Sequence, residues 1–474
     1  MLDRFEDAKP LLWHAASVIL LRRAAGTAAI GPPYWECSPY LVAELAAWSS
    51  MNLLDDLAAR GLIHDTTDRA ALAARLDSGP VGIYIGFDPT ADSLHVGHLV
   101  GQMFMRRFQM AGHRPYPLAG GATGMVGDPG GRSEERNLLD DETLRHNVAC
   151  IKVQLSSLLD FEPGPFQATL VNNADWTAPM TMLEFLRDVG KHFTVSHMMA
   201  KDSVRSRLES SSGISYTEFS YMLLQANDFR HLYEHHDVEV QAGASDQWGN
   251  IVAGVELIRR SLGQQAYALT HPLITKADGT KFGKSVGGAV WLDPQRTSPY
   301  RFHQFWMHSD DQTVEVYLRM LSMRPLAELF AVMEEHSSAP ERRVAQRALA
   351  MEMTELVHGH VVAEAVEQAA GVLFGGDPAT ASASALAVVA GEAPCVDIVG
   401  DVNTTRVHEL LVSAGVATSI SEVNRLLRQN AIRAGNRVLP GDGLLRTSDL
   451  LTGGFVLLRK GKRDFVVGKV SSRG

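Results

Sequence analysis

Short apolar runs alternate with longer amphipathic stretches between residues 81 and 262. The runs are typical of buried strands, and apolar residues that recur every three or four positions are typical of helices. Strands are predicted at 81–86, 114–120, 167–173 and 238–243, and helices at 98–112 and 250–262. This alternation predicts an α/β fold, a Rossmann-like doubly wound parallel sheet with helices on both faces. Ligands of such sheets bind at the carboxyl ends of the strands.

The pattern changes beyond residue 295, where helical periodicity replaces the strands. Residues 312–323, 325–336 and 341–360 each have the spacing of an amphipathic helix. Residues 1–50 differ from everything that follows and end before a second methionine, Met51. They are either an appendage or a mis-assigned start. The predicted boundaries are 1–50 for an N-terminal extension, 51–295 for the α/β domain, 296–385 for a helical domain, 386–403 for a linker and 404–474 for a small α+β module.

Charge is distributed unevenly along the chain. The whole sequence has a formal net charge of −10, yet residues 404–474 hold 12 Lys/Arg against 5 Asp/Glu. A basic module on an acidic protein is typical of local nucleic-acid binding. The three cysteines are too far apart for a disulfide framework or a zinc cluster, and they suit the cytosol. No apolar run reaches the ~18 residues of a membrane span. The acidic start "MLDRFEDAK" is unlike a signal peptide, so we expect a cytoplasmic protein.

Two histidines stand three residues apart in "DPTADSLHVGH", residues 88–98. The Asp-Pro-Thr sequence predicts a turn, and Ser93 is a candidate cap for the helix that follows. His95 and His98 would then lie near a helix N-terminus, where backbone N–H groups and imidazole donors suit a phosphate. A pair of surface histidines is the ordinary alternative. A metal site is weaker, because zinc needs three or four ligands and no partner cluster is evident.

Two lysines, Lys281 and Lys284, lie in the Gly-rich segment "KADGTKFGKSVGG", residues 276–288. Ammonium groups on a flexible loop can close over a polyphosphate and neutralise charge as it develops. For this segment alone, a solvated basic loop is the better interpretation. The presence of "HVGH" about 190 residues earlier in the same chain favours the phosphate-binding interpretation.

A third set of polar residues lies in predicted helices and at strand ends. Tyr221, Gln225 and Asp228 share one helical stripe in "SYMLLQANDF", which forms either a polar outer face or the wall of a polar pocket. In "GASDQWGN", Gly243 permits close backbone approach, and Asp246 is either a ligand contact or a helix cap. "GGATGMVGDPGGR", at 120–132, is a glycine-rich loop and weak evidence by itself.

Together these strings resemble one family. "HVGH" with "KFGKS" is similar to the signature pair of class I aminoacyl-tRNA synthetases. "GFDPTADSLHVGH", "GGATGMVGDP", "SYTEFSYMLLQANDF", "GASDQWGN" and "PLITKADGTKFGKS" resemble the bacterial tyrosyl-tRNA synthetase family over roughly 51–474. The resemblance implies activation of L-tyrosine with ATP to tyrosyl-adenylate and pyrophosphate, followed by transfer to the 3′-terminal adenosine of tRNA(Tyr). It also implies Mg²⁺ accompanying ATP, no tightly bound cofactor, and a homodimer formed through an insertion in the α/β domain.

The resemblance also implies roles for individual residues. Tyr84 and Asp228 would hydrogen-bond the substrate phenol, and phenylalanine would leave these buried groups unpaired. The tyrosine-binding set is Tyr84, Asp128, Tyr221, Gln225, Asp228 and Gln247. The ATP-binding set is Gly86, Asp88, Thr90, His95, His98, Gly243, Asp246 and Lys284. The catalytic set is Thr90, His95, His98, Lys281, Lys284 and Ser285, with Arg132 as a possible helper and no metal ligand.

The basic tail is similar to the alpha-L RNA-binding module that ends many bacterial members of this family. Its implied tRNA contacts are Arg425, Arg428, Arg433 and Arg437. Ile420 and Asn424 stand where further basic residues are expected, which weakens the implied contact. Three alternatives are another HxGH nucleotidylyltransferase, a non-catalytic RNA-binding relative and the tryptophanyl enzyme. The lysine loop and basic tail disfavour the first, the intact histidines and lysines the second, and Tyr84 with Asp228 the third.

Overall fold

A computed structural model describes residues 52–128, 140–209, 213–275, 284–285, 288–461 and 464–471. The predicted extension over 1–50 lies outside these residues. Within them, no helix combines the length and apolar character needed to cross a bilayer.

A six-stranded sheet forms the centre of the first part of the chain. Its strands are β1 (Asp65–Thr66), β2 (Gly82–Phe87), β3 (Arg114–Ala119), β4 (Val171–Asn172), β5 (Val238–Ala244) and β6 (Tyr267–His271). Their spatial order is β1-β6-β5-β2-β3-β4, and all neighbours are parallel except β1 and β6. The α/β class and the parallel sheet are confirmed. β6 is a strand that the sequence pattern did not predict.

The third predicted strand, 167–173, is reduced to the two residues of β4. The N–H of Thr169 donates to the carbonyl of Pro115, so the edge of β3 that faces β4 includes proline residues. Pro115 and Pro117 have no N–H to donate to a neighbouring strand. The ladder between β3 and β4 is therefore confined to Leu118 and Ala119.

In the described part of the chain, eleven helices accompany the sheet, and several of them make up the segment that connects β4 to β5. They are α1 (Leu53–Ala59), α2 (Arg69–Asp77), α3 (Leu99–Met110), α4 (Thr123–Val126), α5 (Asp141–Ser156), α6 (Ala174–Thr177), α7 (Met182–Asp188), α8 (Val195–Met199), α9 (Asp202–Leu208), α10 (Tyr216–His236) and α11 (Trp248–Leu262). The predicted helices at 98–112 and 250–262 are confirmed as α3 and α11.

The predicted helical region follows the sheet. Its helices are α12 (Pro299–Met307), α13 (Val314–Leu321), α14 (Leu326–Ser338), α15 (Val344–His358), α16 (His360–Leu373) and α17 (Ala383–Glu392). One apolar core contains residues of α3, such as Phe104, together with Phe302, Trp306 and Leu318 of this region. The helical region therefore packs on the sheet domain through α3 and shares its core.

A buried ionic cluster connects the same two regions. Arg60 and Arg107 are almost fully buried and both contact the carboxylate of Asp56, Arg60 Nε at 2.9 Å and Arg107 Nη1 at 3.5 Å. Both guanidinium groups also donate to the carbonyl of Ser322, after α13. Burial and the neighbouring Arg60 lower the pKa of Arg107 to about 9. Asp56 thus neutralises two cations that tie α1 and α3 to the helical region.

We expect Asp56→Asn to lower the free energy of unfolding by about 3 kcal/mol, because it leaves buried guanidinium charge uncompensated. Urea denaturation monitored by circular dichroism measures this change. Asp55→Asn is the matched control, because the neighbouring Asp55 pairs with Arg69 at the surface and should contribute less than about 1 kcal/mol. Equal destabilisation by both substitutions would contradict the assignment.

The chain ends in a five-stranded sheet of order β11-β10-β12-β13-β9. A separate two-stranded antiparallel hairpin, β7 (Lys284–Ser285) and β8 (Gly288–Ala289), precedes the helical region in the chain. The remaining strands and helices are β9 (Cys395–Val399), α18 (Val407–Ser413), α19 (Ile420–Arg428), β10 (Ile432–Ala434), β11 (Arg437–Val438), β12 (Phe455–Lys460) and β13 (Asp464–Ser471).

The expected linker over 386–403 instead contains structure that belongs to this sheet. Part of α17 lies there, and β9 pairs in parallel with β13, Ile398 facing Val470. Ile398 is the one fully buried residue of β9, so the segment has almost no apolar pattern of its own. It is a strand because β13 offers a free edge, which a local pattern cannot show.

Candidate active site

The carboxyl ends of β2 and β5 lie side by side at the middle of the sheet. The chain order reverses there, because β3 and β4 lie on one side of β2 while β5 and β6 lie on the other. Such a reversal opens a crevice at the strand ends. Gly86 is exposed although its neighbours in β2 are buried, so the space in front of it is open. Thr90, just beyond the strand, is also exposed.

The two histidines of "HVGH" stack beside the end of β2, where the His98 ring lies 6.3 Å from the ring of Phe87. Their ring centroids are 3.9 Å apart and their planes differ by 15°. His95 Nδ1 accepts the N–H of Gly97, and His98 Nδ1 accepts the N–H of His95. Each neutral ring therefore carries its proton on Nε2, which can act as a hydrogen-bond donor. Burial and the His95 ring lower the pKa of His98 to about 3, so His98 is neutral near pH 7.

His95 also takes the role that the sequence suggested for Ser93. His95 is the N-cap of a short 3₁₀ helix, Val96–His98, that leads into α3. The Ser93 hydroxyl instead donates to the carbonyl of Leu94 and accepts the N–H of Asp293. The prediction of a Ser93 cap is wrong, because the first helical residue is Val96 and the cap position is His95, two residues after Ser93.

The segment after the lysine loop is paired with the histidine motif. The N–H of Val96 donates to Val290 and the N–H of Leu292 to Leu94, both at 2.9 Å. Trp291 lies against His95 with centroids 5.9 Å apart, and the Arg296 guanidinium lies 4.5 Å above the Trp291 ring. The segment that follows the lysine loop is therefore hydrogen-bonded through its backbone to the segment that carries the two histidines.

Only part of the lysine loop itself is described. Lys281 lies outside the described residues, as does Arg132. Lys284 and Ser285 form β7, which pairs antiparallel with β8, and for these two residues the structure describes the backbone.

A buried polar pocket lies between β2 and α10. Tyr84 and Asp228 are each 1% exposed. Asp228 accepts hydrogen bonds from Asn173 Nδ2 at 3.0 Å and Trp176 Nε1 at 2.9 Å. The Tyr84 hydroxyl donates to the carbonyl of Gln225 at 3.4 Å. Of the two alternatives for this stripe, a polar outer face is therefore excluded for Asp228, which lies in a buried pocket.

Burial controls the ionisation of both groups in this pocket. It raises the pKa of Asp228 to about 7, and the two hydrogen bonds oppose that rise. Burial and the nearby Asp228 raise the pKa of the Tyr84 phenol well above its ordinary value. The pocket thus holds a carboxyl group that changes charge near neutral pH beside a phenol that remains neutral.

The rest of the α10 stripe faces the end of β2. The Tyr221 hydroxyl donates to Asp88 Oδ2 at 3.2 Å, and Thr123 Oγ1 donates to Asp88 Oδ1 at 3.1 Å. A Cβ on Gly120 would lie 2.4 Å from Asp88 Oδ1, so only glycine fits there. The side chain of Gln225 is partly exposed one turn further along the same helix. Tyr221, Gln225 and Asp228 therefore lie on one face of α10, and the contacts of Tyr221 and Asp228 direct that face toward the end of β2 and the buried pocket.

A chain of side-chain hydrogen bonds borders the crevice on the β5 side. Lys201 Nζ donates to Asn250 Oδ1, and Asn250 Nδ2 donates to Gln247 Oε1 at 2.9 Å. Gln247 Nε2 donates in turn to Asp128 Oδ2 at 2.7 Å. Because each donor fixes the next amide, the chain sets the orientation of Gln247 and brings Gln247 and Asp128 together. Burial lowers the pKa of Lys201, against the attraction of Asp128 and Asp246.

Gly243 and Asp246 occupy the end of β5. A Cβ on Gly243 would lie 3.2 Å from Ile251 and 3.4 Å from Gln247, so packing alone favours glycine here. Asp246 is exposed in a 3₁₀ turn, Ser245–Gln247. The N-cap of α11 is Gln247, so the alternative of Asp246 as the helix cap is wrong.

Comparison with known proteins agrees with this geometry. The sequence pattern of a family described as tRNA synthetases class I (W and Y) matches residues 76–375. The chain belongs to the class I tRNA synthetases. The tyrosine–tRNA ligase of Opitutus terrae is 52% identical over 424 residues, covering 89% of this chain and 100% of that protein. That of Roseiflexus castenholzii is 49% identical over 419 residues, 87% of this chain and 98% of that protein.

A solved structure shows the same fold. The C-terminally truncated mitochondrial tyrosyl-tRNA synthetase of Aspergillus nidulans is 34% identical, with a TM-score of 0.63. The match covers 70% of this chain and 97% of that chain.

The four arginines predicted to contact tRNA are not equivalent in this class I synthetase. Arg425, Arg428 and Arg433 are exposed on α19 and β10. Arg437 is partly buried, and its guanidinium binds both carboxylate oxygens of Asp449, which is almost fully buried. Arg437 therefore holds the loop before β12, and we leave it out of the proposed tRNA surface.

Several residues of the synthetase site were missed in the sequence. Asn173 and Trp176 contact Asp228, and Asn250 and Lys201 orient Gln247. A signal existed for the first two, because "NNADW" follows a predicted strand and lies at its carboxyl end. Lys201 had none, since it reaches the site from the segment between β4 and α10.

Proposed function

We propose that this protein activates L-tyrosine with ATP and transfers the tyrosyl group to the 3′-terminal adenosine of tRNA(Tyr). The buried pocket of Tyr84 and Asp228 carries this proposal, because two hydrogen-bonding groups at its end suit the hydroxyl of a phenol. The relatives named above are tyrosine–tRNA ligases, which agrees with this substrate.

The geometry supports an arrangement of both substrates across the crevice. The tyrosine side chain would enter between β2 and α10, with its ammonium group near Asp128, Tyr221 and Gln225. Its carboxylate would lie beside Gln247. The adenosine would occupy the open space between Gly86 and Gly243, with Asp246 at the ribose and Asp88 nearby. The triphosphate would then reach Thr90 and the two Nε2–H groups of the histidine pair.

The reaction needs positioning and charge stabilisation more than a strong base. The tyrosine carboxylate attacks the α-phosphorus, an acid anhydride bond forms, and the bond to pyrophosphate breaks with its electron pair on the leaving group. Neutral imidazole donors at His95 and His98 stabilise the developing charge without a change of protonation. We assign Lys281, Lys284 and Ser285 to the other side of the pyrophosphate, with Arg132 nearby.

Mg²⁺ belongs to the ATP substrate in this proposal. Among the described residues, no group of three or more His, Cys, Asp or Glu side chains could hold a metal ion. The triphosphate and water would therefore supply most of its ligands. We further propose that the enzyme works in the cytoplasm, where ATP and tRNA are available.

A tyrosine-dependent ATP–pyrophosphate exchange assay tests the function. We expect exchange with tyrosine and at least a hundredfold lower kcat/KM with phenylalanine or tryptophan, because the pocket groups lose their phenol partner. Exchange driven equally well by tryptophan would refute the substrate assignment, and no exchange with any amino acid would refute the activity.

We propose that the exposed arginines of the C-terminal module bind tRNA phosphates. The double substitution Arg425→Ala/Arg428→Ala should raise the KM for tRNA about tenfold and reduce the slope of log affinity against log salt by about two. Aminoacylation and filter binding at several salt concentrations measure both. Pyrophosphate exchange, which needs no tRNA, should be unchanged, and a parallel loss there would contradict a tRNA-binding role.

Point substitutions test tRNA binding more directly than deletion of the C-terminal module does. Phe455 and Phe465 of β12 and β13 share an apolar core with Val372 of α16 and Leu386 of α17. Removing the last strands would expose this core, and the truncated protein would then lose activity through instability.

We propose that the segment between β4 and α10 forms a homodimer interface. This segment and the first residue of α10 carry a concentration of exposed large apolar side chains, Met182, Leu183, Leu186, Val195, Met199, Leu208 and Tyr216. Exposed large apolar side chains concentrated in one segment favour an association site. Its short helices flank α10, which bears the tyrosine pocket.

We expect Leu183→Glu to raise the dimer dissociation constant at least about tenfold, since it buries a charge at the interface. Analytical ultracentrifugation across a concentration series measures this. Val361→Glu is the control, because Val361 is similarly exposed at 71% but lies on α16. A monomeric wild type, or the same effect from both substitutions, would contradict the interface.

A further inference from the structure

A column of stacked rings runs from the tyrosine pocket to the surface. The His231 ring lies parallel to Trp176, with centroids 4.4 Å apart and planes differing by 15°. His235 stacks on the other face of this pair at 4.2 Å and 18° from His231. We call His231 and His235 the imidazole column. Neither histidine has a part in the proposed chemistry.

The inner end of the column contacts the group that selects the substrate. Trp176 Nε1 donates to Asp228 Oδ1 at 2.9 Å, and Asp228 is 1% exposed. His231 follows Asp228 by three residues on α10, so both side chains lie on one face of that helix. α10 thus supplies both the Asp228 carboxylate and the His231 ring, which covers Trp176, the hydrogen-bond donor to that carboxylate.

Trp176 needs such lateral support. It lies in α6, a four-residue helix whose N-cap, Asn173, makes no side-chain capping bond. The indole itself is partly exposed. A short helix of this kind does little to restrict an indole ring, whereas a ring packed flat against it restricts rotation about both side-chain torsions.

The charge on His231 is set by its surroundings. Burial, together with the neighbouring His235, His236 and Arg230, lowers the pKa of His231 to about 4. The ring is therefore neutral near pH 7, and its contact with the indole is a stack between two uncharged aromatic rings. Such a contact depends on a flat ring rather than on an imidazole.

We propose that His231 is a positioning residue for amino-acid selection: its ring, supported by His235, holds Trp176 so that the indole N–H points at Asp228. The carboxylate is then oriented to receive the substrate phenol. This inference rests on the proposed function, because it assigns Asp228 to the phenol of tyrosine.

Substitution of His231 by a residue with or without a ring tests the inference in pyrophosphate exchange. His231→Leu should raise the KM for tyrosine about three- to tenfold and lower the preference for tyrosine over phenylalanine by a similar factor. The kcat at saturating tyrosine should stay within about twofold. His231→Phe keeps a flat ring and should retain the wild-type values. His236→Leu is the control on the same helix, since its ring is tilted by 51° to His231.

A double-substitution cycle shows whether His231 acts through Trp176. Trp176→Phe removes the N–H, so adding His231→Leu to it should cause no further loss of selectivity. Additive losses, or a His231→Phe variant as impaired as His231→Leu, would overturn the inference. An unchanged tyrosine KM and selectivity in His231→Leu would overturn it as well. A wild type that shows no tyrosine-dependent exchange would refute the proposed function itself.

Discussion

His95→Ala should slow tyrosyl-adenylate formation by about a hundred- to a thousandfold while the KM for tyrosine changes by less than about twofold. A donor directed at charge that develops in the transition state contributes about 2.7–4 kcal/mol in comparable sites. His95 Nε2–H is placed to be such a donor because Nδ1 accepts the N–H of Gly97. We place tyrosine at the other end of the crevice, so its affinity should be preserved. Pre-steady-state measurement of adenylate formation tests this.

Two further substitutions separate catalysis by His95 from its structural role as a helix cap. His95→Gln places an amide N–H near the position of Nε2 and should recover part of the lost rate. His95→Asn retains an acceptor for the N–H of Gly97 but has no distal donor, so it should remain slow. A fast Asn variant and a slow Gln variant would show that His95 acts only as a cap. Lys284→Ala is expected to resemble His95→Ala, since we assign both residues to the pyrophosphate.

Asp228→Asn should raise the KM for tyrosine at least about tenfold and largely abolish its preference over phenylalanine. A buried hydrogen-bonding group left without a suitable partner costs about 1–3 kcal/mol, and 1.4 kcal/mol corresponds to a tenfold change. In the asparagine variant, the side-chain NH2, which is a donor, also faces Asn173 Nδ2 or Trp176 Nε1, and both of these are donors. Exchange kinetics with both amino acids measure the effect, and an unchanged preference would contradict the role of Asp228.

The same carboxyl group predicts a pH dependence in the wild type. The pKa of Asp228 in the folded protein is about 7, above the ordinary 3.8, because the group is buried. Asp228 is therefore largely protonated below pH 7 and ionised above it. The ionised form accepts a phenol hydrogen bond more strongly, so the KM for tyrosine should fall as the pH rises from about 6 to 8. In Asp228→Asn this dependence should disappear.

Apolar periodicity was sufficient to predict elements in which the buried residues recur at the regular spacing of a helix or a strand. β2, β3, β5, α3 and α11 all lie where the apolar spacing placed them. It did not predict strands whose formation depends on pairing with a segment that is distant in the chain. β6 carries Thr270 and His271 among its buried residues, and β9 has a single buried side chain, so neither has a strong local pattern.

The candidate site divides in a similar way. Tyr221, Gln225 and Asp228 could be placed on one stripe because helical spacing alone brings them together. Asn173 and Trp176 could not be joined to Asp228, since 55 and 52 residues separate them in the chain. Arg437 was grouped with the tRNA-contacting arginines for the same reason, because Asp449 reaches it only through the folding of the C-terminal sheet.

The sequence by itself determined the class of fold, the strand ends at which ligands are expected and the two signature motifs, because these depend on residue types at short and regular spacing. Only the tertiary structure decided which side chains share the pocket, which nitrogen of each histidine carries a proton and which arginine is engaged within the protein. Those properties depend on burial and on hydrogen bonds between distant segments. The strength of both is set by the folded environment rather than by the residue type.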